Sequence, residues 1–231
     1  MNAFSHRAFN IYFFTNTFSL LGTWVQKVGL GWLAWQITES TFWTSLVALS
    51  IMAPAGILGP VFAVYAERWD MRRAMLLAKS IITLISILIF LFQIFEMHSL
   101  QSLLLLSFAL GVLNAVHHPI RLVFISLIVP KSYLASAIGL NSVSWSMSRI
   151  VGPGIAGVTI ATFGLDLTFG LAALLFLPFI IVLIWLPLKN RELENENTEK
   201  FFTRLRNGWM TALNTPIIFM CLSIVALNSF F

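Results

Sequence analysis

Apolar runs of about twenty residues, separated by short polar breaks, limit what this chain can become. A helix rises about 1.5 Å per residue, so a run of that length crosses a hydrocarbon core of about 30 Å. Of the 231 residues, 58% are hydrophobic and 10% charged, against roughly 25% charged in soluble domains. Mean hydropathy is +0.89. A water-soluble globule is excluded, and the runs lack the period-two alternation that a membrane barrel needs. The expected fold class is all-α, a polytopic membrane helix bundle. Its spans are placed at Phe9–Trp35, Phe42–Tyr65, Ala74–Phe95, Leu100–His118, Leu134–Thr162 and Leu165–Leu186, with a further one beginning near Ala212 and reaching Phe231.

Charge sets the direction of the spans. With the N-terminus cytoplasmic, the inner segments hold Arg7, then Arg68, Arg72, Arg73 and Lys79, then Arg121 and Lys131, then Lys189, Arg191, Lys200, Arg204 and Arg206. The opposite loops, around Glu39, Glu96 and Asp166, have acids and no Lys or Arg. This bias places the protein in the cell (inner) membrane with its N-terminus inside. The net charge of +5 is dispersed between spans rather than gathered in a patch, so no nucleic acid partner is expected. The lone Cys221 excludes an intramolecular disulfide and a cysteine-based metal cluster. Residues 1–188 thus read as a six-helix N-terminal bundle, 189–211 as a charged cytoplasmic connector and 212–231 as an incomplete seventh helix. The apolar end without flanking anchors leads us to expect a truncated chain.

Lipid offers no hydrogen-bond partners, so polar side chains within spans should face other helices or a water-filled cavity. In the first span Thr15, Ser19, Gly22, Gln26 and Gly29 recur at steps of three or four, flanked by Asn16, Thr23 and Lys27. The fourth has Ser107, Gly111, Asn114 and His118, continued by Arg121, and the fifth has Asn141, Trp145, Ser148 and Gly152 with Arg149 at the edge. Such stripes serve helix packing or line a cavity. The third and sixth spans look almost wholly apolar and lipid-facing. Lys27 and Arg149 lie within spans, where a charge costs about 2.5–3.5 kcal/mol. Snorkelling would relieve Lys27, whereas Arg149 near mid-span calls for water or an anionic ligand. His117 and His118 diverge by about 100° on a helix and cannot chelate one ion, so no metal is expected. His118 is a candidate for proton coupling. No nucleophile with its base and no phosphate loop is visible, so the protein is not expected to be an enzyme, and no cofactor is expected.

Two segments resemble those of a known family. GPVFAVYAERWDMRRAML at 59–76 is similar to the cytoplasmic loop signature of the major facilitator superfamily, with Glu67, Arg68, Asp70, Arg72 and Arg73 in its gating positions. Glu67 stands where the family has Asp, Asp70 at a site often Gly, and Ala63 where it has Gly. GLNSVSWSMSRIVGPGIAG at 139–157 resembles the fifth-helix antiporter motif, with Gly139, Ser148, Gly152, Pro153 and Gly157 in register. Together with residues 21–40 and 129–145, the likeness covers the first six helices and points to the exporter subgroup that includes enterobactin exporters and macrolide efflux-like proteins.

The resemblance implies the N-terminal half of a proton-driven exporter of a small amphiphile, drug or siderophore. It would work by alternating access, with the first and fourth helices lining a central cavity. The candidate cavity residues are Gln26, Lys27, Asn114, His118, Asn141 and Arg149. The expected partners are a small-molecule substrate, protons, the lipid bilayer and a missing C-terminal half. The other expectation is a half-transporter inactive without that partner.

Overall fold

The computed structural model describes residues 3–66, 70–97, 99–186 and 220, with positions 60, 63–66 and 118 described for their backbone alone. Most of the described residues are helical, with no strand among them. The chain divides into two units, 1–191 and 192–231. The predicted connector at 189–211 and the seventh helix at 212–231 lie outside the described residues apart from Met220, which is helical.

Five helices make up the first unit: α1 (Arg7–Thr38), α2 (Thr41–Ala66), α3 (Met71–Ile94), α4 (Leu100–Ile128) and α5 (Leu134–Trp185). A straight α5 of 52 residues would be about 78 Å long, more than twice a hydrocarbon core. It is instead a hairpin. Gly164 adopts φ 83° and ψ 175°, a conformation open almost only to glycine, and the Thr168 hydroxyl donates to Thr159 Oγ1 at 3.2 Å. In an unbroken helix residues that far apart in sequence are about 13 Å apart along the axis. The two arms, 134–163 and 165–185, correspond to the predicted fifth and sixth spans.

Other boundaries follow local chemistry. Asp70 caps α3 by accepting from the backbone N–H of Arg72 (3.1 Å) and of Arg73 (3.2 Å), and Ser99 and Ser102 form a reciprocal capping box at the start of α4. The fourth span was expected to end at His118, before Pro119. The helix runs on to Ile128, because a proline in a membrane-spanning helix is tolerated when neighbouring helices support the freed backbone. It stops where Pro130 forces Val129 into an extended conformation (φ −126°, ψ 148°).

Helix α1 is the axis of the bundle, packed on both arms of α5 and also touching α2 and α4. Two apolar cores lie along it. One surrounds Phe9 and Tyr12 with Met75, Phe124 and Phe179, and the other surrounds Leu30 and Leu33 with Ile82, Leu110 and Phe169. Between them is a waist of small residues. A Cβ added at Gly22 would lie 3.0 Å from the Ala172 carbonyl, and one at Gly152 would lie 2.5 Å from Trp24 Cβ. Close helix approach of this kind needs glycine. Helices α2, α3, α4 and the segment Lys131–Trp185 are long and apolar enough to cross a membrane. With α1 at the centre, its polar face turned inward, these form an all-α membrane helix bundle.

The outward faces are apolar, as with Leu84 on α3 and Leu174 on the second arm of α5. The expectation that the third span is almost wholly apolar and lipid-facing needs correcting, because Lys79, Thr83 and Ser86 are buried on its inner face. Their steps of four and three put them on one stripe, and a window dominated by Leu and Ile hides it. Lys79 and Arg121 were assigned to the cytoplasmic segments. Both lie within helices and are almost wholly buried, at 1% and 3% exposure.

Candidate functional site

The predicted cavity residues separate into two groups. Gln26 and Asn141 are buried and held by other helices: Gln26 Nε2 donates to Ser86 Oγ on α3 at 2.7 Å, and Asn16 Nδ2 donates to Asn141 Oδ1 on α5 at 3.3 Å. Beside the asparagines, the hydroxyls of Thr17 and Ser144 lie 2.7 Å apart. These bonds tie α1 to its neighbours through part of its polar face, while Ser19 Oγ and Asn16 Oδ1 remain buried without a hydrogen-bond partner. Asn114 is half-buried and donates to the Leu110 carbonyl of its own helix at 2.8 Å. The His118 side chain lies outside the described residues.

Lys27 and Arg149 form the second group. Lys27 is half-buried with its Nζ 4.5 Å from the centre of the Trp24 ring, and Arg149 is exposed on α5 and close enough to repel it electrostatically. Trp24 meets Trp145 edge to face at 6.0 Å, and the Arg121 guanidinium stacks over Trp145 at 4.9 Å. The indoles of α1 and α5 therefore link a cation on α1 to a cation on α4. Each such contact contributes about 0.5–2 kcal/mol, more as water is excluded. Composition within spans predicted Lys27 and Arg149; the two tryptophans and Arg121 join them only through the tertiary fold.

The described acids, Glu39, Asp70, Glu96 and Asp166, are all exposed, at or beside helix ends. No carboxylate among the described residues reaches the interior cations. The one ion pair among them is Arg73 with Asp70, 3.2 Å apart and solvent-facing.

The gating segment is used differently along its length. Glu67 and Arg68 lie outside the described residues. Asp70 and Arg73 form the α3 cap, whereas Arg72 reaches across to the end of α5. There its Nε donates to the Leu183 carbonyl at 2.7 Å, and its Nη2 donates to the carbonyls of Leu186 at 2.8 Å and of Ile184. These carbonyls have no partners within the helix, and the negative end of the helix dipole favours a cation there. In the fifth-helix motif Ser148 and Gly152 are buried toward α1, and the backbone stays helical through Pro153. Gly139 and Gly157 lie on the open side, where an added Cβ would meet nothing within 4 Å.

Residues missed by sequence reasoning cluster near the N-terminal end of α1. Tyr12 is buried, its hydroxyl has no hydrogen-bond partner, and it interacts electrostatically with Arg121, as Arg121 does with Lys79. Lys79 Nζ is 4.7 Å from the Phe176 ring centre. Tyr12 precedes Asn16 and Ser19 on the α1 stripe at steps of four and three, a signal that its aromatic ring masked.

Among known proteins, the chain is 28% identical over 179 residues to the staphyloferrin A transporter of Staphylococcus aureus, covering 77% of this chain and 45% of that protein. It is also 28% identical over 213 residues to the uncharacterised MFS-type transporter YfiS of Bacillus subtilis, covering 88% of this chain and 49% of that one. The chain spans about half the length of both relatives. Residues 1–226 match the transmembrane secretion effector family, and the chain belongs to that family of major facilitator transporters.

Proposed function

We propose that the protein moves a small amphiphilic molecule out of the cell by alternating access, driven by protons, with α1, α4 and the first arm of α5 forming one wall of the substrate path. The observation that carries this reading is the Lys27, Trp24, Trp145, Arg121 and Arg149 surface. It brings charge and aromatic rings together in a lipid-sized bundle where no carboxylate among the described residues pairs with the cations. Cations so placed need water or an anionic group. The N-terminus is cytoplasmic in this reading, because the basic residues fall on that side. Proton coupling involves His118 or a second half. The gating segment, Glu67 to Arg73, would meet that half as it closes.

Flux of a siderophore or amphiphilic dye in proteoliposomes under an imposed pH gradient tests the proposal. Arg149→Ala should lose most export, while Leu174→Ala, on the apolar outer face, should retain it. Unchanged export by Arg149→Ala would remove that residue from the path, and indifference to the gradient would remove proton coupling.

A second reading is that these helices are inactive alone and work with a C-terminal half. The favouring observation is the chain's coverage of 45% and 49% of the relatives. Flux restored only on co-expression with a six-helix partner would establish this reading, and flux by the chain alone would refute it.

A further inference from the structure

Lys79 and Arg121 are the two most buried cations among the described residues. Each sits roughly two turns from its helix terminus, about 10–12 Å along the axis. They come from α3 and α4, Tyr12 comes from α1, and the second arm of α5 closes the group with Phe176 and Phe179. The Tyr12 ring centre is 5.8 Å from that of Phe179 and 5.6 Å from that of Phe124. Four elements therefore converge on two like charges.

No described carboxylate neutralises the group. All described acids are exposed at or beside helix ends, and Arg121 Nε and the Tyr12 hydroxyl are buried without a hydrogen-bond partner. Buried charges need a counter-charge, and unpaired buried donors lose hydration with nothing in return. Stacking on Trp145 and proximity to Phe176 offset part of this for each cation but leave the repulsion between them. A carboxylate is an acceptor with two oxygens, matched to a guanidinium fork on one side and to an ammonium or phenol on the other. The half-buried indoles of Trp145 and Trp24 join Arg121 to the half-buried Lys27 and the exposed Arg149, a basic and aromatic approach from outside to inside.

We propose that Arg121, Lys79 and the Tyr12 hydroxyl form an anion site that takes a carboxylate of a small organic acid, reached along the Trp24 and Trp145 rings. As the class of cargo this rests on the transport reading; as a binding site it is separate from it and is tested without flux.

The test is thermal unfolding of the complete chain in detergent, with succinate, its uncharged dimethyl ester and chloride as probes. Succinate should raise the melting temperature of the wild type in a saturable way, as any ligand of the folded state does. It should do so at about tenfold or more higher concentration, or not at all, in Lys79→Met and Arg121→Gln. Lys79→Met removes an unpaired buried cation for a side chain of similar length, so without ligand it should melt no lower than the wild type. Equal stabilisation by the dimethyl ester, an undiminished succinate effect in both variants, or no succinate effect on the wild type would overturn the site. Chloride acting as strongly as succinate would overturn the carboxylate assignment. Succinate binding without export of any organic acid would count against the transport reading and leave the site intact, whereas flux without anion stabilisation would do the reverse.

Discussion

Gly152 provides the sharpest test of the packing that holds the bundle together. In Gly152→Ala the new Cβ would lie 2.5 Å from Trp24 Cβ, where carbon atoms prefer about 3.5–4.0 Å. Both carbons are attached directly to backbone, so no rotamer relieves the overlap, and α1 and the first arm of α5 must separate by about 1 Å at their closest approach. Such overpacking costs about 1–3 kcal/mol. Alanine recovers about 1 kcal/mol of intrinsic helix preference over glycine, so the net change is a loss of about 0–2 kcal/mol. Gly157→Ala supplies the control. It lies in the same helix and motif, an added Cβ there meets nothing within 4 Å, and it should gain the propensity without the clash. The difference between the variants is therefore about 1–3 kcal/mol, roughly 5- to 150-fold in the unfolding equilibrium. Reversible unfolding in mixed detergent, followed by tryptophan fluorescence, measures it. If Gly152→Ala proves as stable as Gly157→Ala, the close contact at the waist is wrong.

The other predictions concern single interactions. Gly164→Ala places a side chain at φ 83°, ψ 175°, so it should destabilise the α5 hairpin by about 1–3 kcal/mol although there is open space around it. A wild-type melting temperature for this variant would show that the turn is not built as described. Gln26→Leu breaks the bond to Ser86, yet the Ser86 hydroxyl keeps its own bond to the Ile82 carbonyl at 2.9 Å; the loss should stay near 0.6 kcal/mol, and a loss several times larger in the same unfolding assay would contradict this. Arg72→Gln removes a charged clamp from three carbonyls at the end of α5. Backbone amides near Leu183 and Leu186 should then exchange hydrogen about tenfold faster or more, while those at the waist near Gly22 should not change.

Much of the architecture was legible in the chain because lipid imposes one rule. Every backbone group must be satisfied within its own helix, so length and apolarity alone mark the spans. The break between the fifth and sixth spans was legible between Thr162 and Leu165, where the structure puts Gly164, and the stripe on α1 was visible in its steps of three and four. Helix α4 was cut short at Pro119 because proline ends helices in water but not where neighbouring helices support it.

Sequence by itself determined that this protein is an all-α membrane bundle, that its first helix has a polar stripe and that Lys27 and Arg149 put charge within spans. It could not assign the partners of those side chains, because a helix face specifies direction and not what stands opposite. Only the tertiary structure decided that Gln26 and Asn141 are occupied by Ser86 and Asn16, that Arg72 holds the end of α5, and that Lys79 and Arg121 meet in the interior. The physical reason is distance. Lys79 and Arg121 come from different helices of the chain and look like ordinary flanking charges until packing removes the water around both.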